Sequence, residues 1–162
     1  MTYPGSNAML NIGSKVPSFA LYDTDLKLRR TKDFLARGKK TIFAFYPGAF
    51  TGVCTREMCA FRDIHEDLQK LNATVVGISV DPPFANKAFA EKHGLDFALL
   101  SDFKREAIKK YGVVWKNLGG MKGYDGANRA VFVTDGSGRI VYKWVGKNPG
   151  EFPDLDAVKK AL

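Results

Sequence analysis

The 162 residues include 25 Lys plus Arg against 17 Asp plus Glu, a net charge of +8, with 45% hydrophobic residues. That length and apolar content suit one globular domain with an ordinary core, which excludes a miniprotein held together by disulfides. No run of about 18 apolar residues occurs, so a transmembrane helix is not expected.

The basic residues are spread along the chain, from Lys27, Arg29, Arg30 and Lys32 through Arg105, Lys109 and Lys110 to Lys159 and Lys160. No arginine-rich arm or zinc-finger pattern accompanies them. The charge therefore reads as a solvated basic surface, and a nucleic-acid or membrane partner is not expected.

Residues 1–11 are short, polar and Gly/Pro-containing. They lack the apolar stretch of a secretory signal and are expected to form a loose tail, with a cytoplasmic location. A single domain is expected over 12–162. Phe19–Asp23 and Lys27–Arg29 read as short strands around a turn. Thr31–Arg37 reads as a short helix with Thr31 as its N-cap. Thr41–Tyr46 is a continuous β-branched and aromatic run, the pattern of a strand buried on both faces.

After the turn Pro47-Gly48-Ala49-Phe50, a helix is expected from about Val53 to Leu71. Met58, Phe61, Ile64, Leu68 and Leu71 recur at spacings of three and four and make its apolar face. His65 falls on the exposed side. Thr74–Val80 is a second buried strand. A helix opens at Asp81-Pro82-Pro83 and ends at Gly94. Phe97–Leu100 is a third strand, and Lys104–Tyr111 a helix closed by Gly112. Ala130–Thr134 and Arg139–Val145 flank the hairpin turn Asp135-Gly136-Ser137-Gly138. Asp154–Leu162 is a terminal helix. Helices between buried strands argue for parallel pairing, and the last hairpin for an antiparallel addition. The expected fold is α/β: a mixed central sheet flanked by helices, thioredoxin-like, with extra N-terminal elements.

Two cysteines, Cys54 and Cys59, stand five positions apart. In a reducing compartment such a pair is catalytic or metal-binding more often than structural. Cys54 lies where a buried strand passes into the first turn of a helix, the edge at which open α/β sheets bind ligands. Free backbone N–H groups and the positive end of the dipole favour a thiolate there. A thiolate is the nucleophile that peroxide reduction requires. The leaving oxygen then needs donors already aimed at it. Thr51, one turn earlier, offers a hydroxyl, and Pro47 fixes and shields the turn. Arg129, at the start of a buried strand, is the candidate for a guanidinium that holds thiolate and peroxide. A metal site is not expected, because C-x4-C with the distant His65 and His93 matches no tight zinc pattern.

Pro47, Thr51 and Cys54 match the P-x-x-x-T-x-x-C signature of the peroxiredoxins, and the chain resembles that family over nearly its whole length. Ile12-Gly13-Ser14-Lys15-Val16-Pro17-Ser18-Phe19, Gly77-Ile78-Ser79-Val80-Asp81 and Arg129-Ala130-Val131-Phe132-Val133 resemble further family segments in order. Cys54-Thr55-Arg56-Glu57-Met58-Cys59 resembles the C-T-x-E-x-C of the peroxiredoxin Q, or bacterioferritin-comigratory, subfamily. The chain departs from that subfamily at Gly52-Val53, where Pro-Gly is common, and at Met58. The resemblance implies a thiol peroxidase acting on hydrogen peroxide and small organic hydroperoxides, without metal or organic cofactor. It makes Cys54 the peroxidatic and Cys59 the resolving cysteine, with Pro47, Thr51 and Arg129 completing the pocket. It also implies that the backbone N–H of Val53 contacts peroxide, that Glu57 supports Arg129, and that a thioredoxin-like dithiol restores the enzyme. A homodimer meeting at the active-site edge is expected.

Helix geometry adds a constraint of its own. Residues five apart on an α-helix have Cα atoms roughly 8.6 Å apart, from the helix rise and radius. A disulfide needs about 7 Å or less. A Cys54–Cys59 bond therefore requires the first turns to unwind. Two alternatives stay open on sequence: a disulfide oxidoreductase, which C-x4-C suits less well than C-x-x-C, and a one-cysteine peroxidase with an external resolving thiol.

Overall fold

The computed structural model describes residues 10–162, so most of the expected tail over 1–11 lies outside the described residues. In chain order the strands are β1 (Ala20–Tyr22), β2 (Leu28–Arg30), β3 (Lys40–Phe45), β4 (Ala73–Ser79), β5 (Ala98–Ser101), β6 (Val114–Trp115), β7 (Gly126–Ala127), β8 (Ala130–Thr134) and β9 (Ile140–Val145). The helices are α1 (Gly52–Lys70), α2 (Pro83–His93), α3 (Glu106–Lys110) and α4 (Leu155–Lys160).

Seven strands form one sheet in the order β2-β1-β5-β4-β3-β8-β9. β3, β4 and β5 are parallel, while β8 and β9 continue the sheet antiparallel. This is the mixed, thioredoxin-like sheet expected from the helices between buried strands and from the closing hairpin.

Side chains alternate across the sheet, and the alternation divides the core in two. Phe43, Phe45, Val76, Ile78 and Phe132 pack on one face with Ile108 of α3 and Tyr111, its C-cap. Ile42, Ala44, Tyr46, Val75 and Val131 pack on the other with Met58, Phe61 and Leu68 of α1, Phe89 of α2 and Val158 of α4. Leu10 and Val16 pack against the first cluster. Gly77 lies where the sheet meets α1: a Cβ there would stand 2.6 Å from Leu99 Cδ2 and 3.2 Å from Tyr46 Cε1.

Three local expectations are corrected. Thr31 does not cap a helix: the turn is a short 3-10 segment, Thr31–Phe34, and the Thr31 hydroxyl instead accepts the Phe19 N–H at 2.8 Å. Leu71 is 53% exposed, because α1 stops at Lys70 and Leu71 is already its C-cap. His65 is only 2% exposed: its ring packs edge-on against Phe97, and Nδ1 lies 2.9 Å from Asp96 Oδ1. The small β6–β7 ribbon was not foreseen. At the C-terminus, Asp154 caps α4 by accepting from the N–H groups of Asp156 and Ala157.

Candidate active site

The site forms at the C-terminal ends of β3 and β4, where the chain leaves the sheet and enters α1. Pro47 and Gly48 are buried in the turn, and Phe50 takes the left-handed conformation at φ 63°. The turn is tied to β4 by Asp81, whose Oδ2 accepts the Ala49 N–H and the Ser79 hydroxyl, each at 2.8 Å. Tyr46, directly before the turn, is buried and donates its hydroxyl to Asn86 of α2 at 2.8 Å.

Thr51 is the N-cap of α1, yet its side chain caps nothing. Its hydroxyl donates to the Gly48 carbonyl at 2.8 Å. The first-turn N–H groups, which have no intrahelical acceptor, are thus left without that cap. Val53 and Cys54 belong to this first turn, and both line the pocket.

Cys54 is fully buried and Cys59 is half-buried; both are free thiols. Arg129, brought in just before β8, is 1% exposed. Its Nη2 donates to Cys54 Sγ at 3.0 Å. Its Nη1 donates to Glu57 Oε2, one turn further along α1. Nε and Nη2 both donate to the Pro149 carbonyl, at 3.1 and 2.9 Å. The Cys54 sulfur, the Glu57 carboxyl and the Pro149 carbonyl thus fix the guanidinium plane.

Burial pushes the Glu57 carboxyl up to about 7, and the Arg129 charge offsets only part of that. Glu57 Oε1 has no hydrogen-bond partner, so the ionised form leaves one acceptor dry. On Arg129, burial works against the charge, but Glu57 and Cys54 outweigh it and hold the group cationic.

A cavity of about 650 Å³ opens onto Cys54. Pro47, Thr51, Val53 and Arg129 line it on one side; Trp115, Leu118, Met121 and Tyr124, from the segment around β6 and β7, form a largely apolar wall. All the residues expected at the site except Cys59 and Glu57 line this cavity. Glu57 lies behind Arg129, and Cys59 sits a further turn along α1. Among the described residues, no group of three His, Cys, Asp or Glu side chains is arranged to hold a metal ion. No helix among them is long and apolar enough to cross a membrane.

Sequence reasoning missed three contributors. Asp81 carried a signal, since a carboxylate at the C-terminal end of a buried strand falls on the ligand edge of the sheet. The apolar wall came from the unforeseen β6–β7 ribbon. The Pro149 carbonyl is a backbone group and has no side-chain signature.

The arrangement places a nucleophilic sulfur, a fixed cation and uncapped N–H groups around one cavity. The sequence profile of the AhpC/TSA family matches residues 12–143. The chain is 41% identical over 133 residues to a chloroplastic peroxiredoxin Q of Populus jackii, covering 82% of this chain and 59% of that protein's own length. It is 39% identical over 132 residues to peroxiredoxin Bcp of Escherichia coli strain K12, covering 81% and 83%. The crystal structure of peroxidoxin BcpB from Mycobacterium tuberculosis superposes with a TM-score of 0.80 at 31% identity, covering 94% of each chain.

Proposed function

The chain belongs to the AhpC/TSA family and is a peroxiredoxin, a thiol peroxidase, and from that premise we propose a mechanism in which Cys54 is oxidised by peroxide and Cys59 resolves it. The observation that carries the reading is the donation from Arg129 to Cys54 Sγ in the wall of the cavity at the start of α1.

The Cys54 thiolate attacks the terminal oxygen of the hydroperoxide. The O–O bond breaks, sulfur gives up two electrons, and the departing alkoxide or hydroxide takes a proton to leave as alcohol or water. Cys54 becomes a sulfenic acid. Arg129 and the uncapped N–H groups of Val53 and Cys54 are suited to stabilise the charge that moves onto the leaving oxygen. Thr51 supports this indirectly: with its hydroxyl on Gly48, those N–H groups face the cavity. Pro47 shields the sulfur, and Glu57 holds Arg129 from behind.

The Cys59 thiol then displaces water from the sulfenic acid and forms the Cys54–Cys59 disulfide. A thioredoxin-like dithiol restores both thiols by exchange. The reading takes residues 12–162 as the working unit, and extends to a homodimer and a cytoplasmic setting.

The test is single-turnover reaction with hydrogen peroxide, followed by mass spectrometry, on the parent, Cys54→Ser and Cys59→Ser. The expected parent product has lost two hydrogens and links Cys54 to Cys59. Cys54→Ser is expected to be inert, and Cys59→Ser to stop at an oxidised Cys54. A parent that stops at sulfenic acid instead would make this a one-cysteine peroxidase. Disulfide exchange without peroxide consumption would favour an oxidoreductase.

A further inference from the structure

The guanidinium of Arg129 has two kinds of anchor. Glu57 reaches it from α1, the helix whose first turns must unwind for the disulfide to form. The Pro149 carbonyl reaches it from the loop between β9 and α4, which is not part of that helix. This carbonyl accepts from two of the guanidinium nitrogens, Nε at 3.1 Å and Nη2 at 2.9 Å, and Nη2 is the one that also donates to Cys54.

The loop is built to aim that carbonyl. The Asn148 side chain accepts the Gly150 N–H at 2.9 Å, and the Asn148 carbonyl accepts the Glu151 N–H at 3.2 Å. Together they close a turn across Pro149, whose ring fixes φ at the turn's second position. The Glu151 carboxylate closes the same turn from outside by accepting the Lys147 N–H at 2.5 Å. The loop is also seated against Arg129 itself. Gly146 donates its N–H to the Arg129 carbonyl at 2.8 Å, and buried Asn128 bridges the Arg129 N–H and the Gly146 carbonyl at 2.9 and 2.7 Å. A Cβ on Gly146 would stand 3.0 Å from the Asn148 carbonyl oxygen and 3.3 Å from that of Arg129.

We propose that Asn148 is a positioning residue for peroxide reduction: it fixes the turn that aims the Pro149 carbonyl, which holds the Arg129 guanidinium toward Cys54 independently of α1. The proposal rests on the reading of Arg129 as a peroxide-stabilising group. A neutral carbonyl suits the task, because it accepts hydrogen bonds without competing as a charge for the cation that faces the thiolate. It also keeps its hold while Glu57 is carried away with the unwinding helix.

The test compares two rates at Cys54, followed by mass spectrometry of the Cys54 peptide: oxidation by hydrogen peroxide and alkylation by iodoacetamide. Alkylation needs the thiolate but no donor aimed at a leaving oxygen. Their ratio therefore reads orientation, and a general loosening of the fold does not mimic it. Asn148 is exposed, so its truncation leaves the core intact. In Asn148→Ala the ratio is expected to fall by about ten- to a hundredfold, the scale of an ångström-level misplacement. In Asn148→Asp, which keeps the acceptor for the Gly150 N–H, it is expected to return close to the parent value. Arg129→Lys serves as reference and is expected to show the fall as well. An unchanged ratio in Asn148→Ala alongside a fall in Arg129→Lys would overturn the proposal and leave Arg129's role standing. Failure of Asn148→Asp to restore the ratio would also overturn it. An unchanged ratio in Arg129→Lys would remove the Arg129 reading and the proposal with it.

Discussion

Arg129 and Cys54 lie 75 residues apart in the chain, and Nη2 of one donates to Sγ of the other at 3.0 Å. The contact joins two segments of different character: the residue that leads into β8, a buried strand held by the sheet on both sides, and the first turn of a helix whose N-cap hydroxyl is turned away.

Arg129 uses its planar fork in three directions at once, toward Cys54, Glu57 and Pro149. A lysine ammonium cannot reproduce that geometry. Arg129→Lys is expected to lower kcat/KM for hydrogen peroxide by about 10²- to 10³-fold, the scale seen when a donor to a developing oxyanion is removed. Steady-state peroxide consumption with a dithiol reductant measures it. Arg129→Met is expected in addition to lower the melting temperature, since it leaves Glu57 buried without its cation.

The Glu57 carboxyl, pushed up to about 7 by burial from an ordinary value of 4.5, binds its proton more tightly in the folded protein than in the unfolded chain. Its contribution to stability is therefore fully present below about 4.5 and is lost as pH rises through about 7. Glu57→Gln lacks that titration. The stability of the parent relative to Glu57→Gln is expected to be greatest in acid and to decline between about pH 4.5 and 7. Urea unfolding of the reduced proteins across that range tests it; a flat difference would show that Glu57 does not titrate there.

Oxidation is expected to melt the start of α1. The Cα atoms of Cys54 and Cys59 on an intact helix stand roughly 8.6 Å apart, beyond the reach of a disulfide. Hydrogen exchange over Gly52–Cys59 is expected to be slow in the reduced protein and fast in the disulfide form, with β3 and β4 unchanged. Equal protection in both states would mean that the resolving thiol lies elsewhere.

Gly77 pairs with Ala44 of β3 and Leu99 of β5, and its missing side chain leaves room for Leu99, Tyr46 and Met58. Gly77→Ala is expected to cost about 1–3 kcal/mol through overpacking. Denaturant unfolding measures the loss. Because the crowded groups include Tyr46 below the active-site turn and Met58 on α1, peroxide reactivity is expected to fall with it.

Much of this was legible in the sequence where burial was uniform or chemistry local. TIFAFY and TVVGISV read as strands buried on both faces because no charged residue interrupts the runs, and the cysteine, threonine and proline of the site lie within one short segment. The misreadings arose where tertiary contact decided. His65 looked like an exposed helix residue, yet Phe97 and Asp96 bury it. Leu71 continued the helical period past the point where the helix ends. Val114–Trp115 and Gly126–Ala127 are too short to show any period, and the wall they support went unseen. The hold of Pro149 on Arg129 is a backbone contact and could only be found in three dimensions.

The alternation of Phe43 and Phe45 with Ile42, Ala44 and Tyr46 gives the sheet the role of a bulkhead. The helix that, in the proposed cycle, melts and re-forms in every turnover packs against one compartment only, and Phe45, Phe132, Tyr111 and Ile108 are sealed in the other. Disorder at the start of α1 can reach Met58 and the neighbouring side chains, but to reach the far compartment it would have to pass through the hydrogen-bonded seven-stranded sheet. The partition lets a catalytic helix be a separate unit of local unfolding within a small protein. Repeated rounds of melting then need not expose the far compartment, which would otherwise offer an aggregating surface at each cycle.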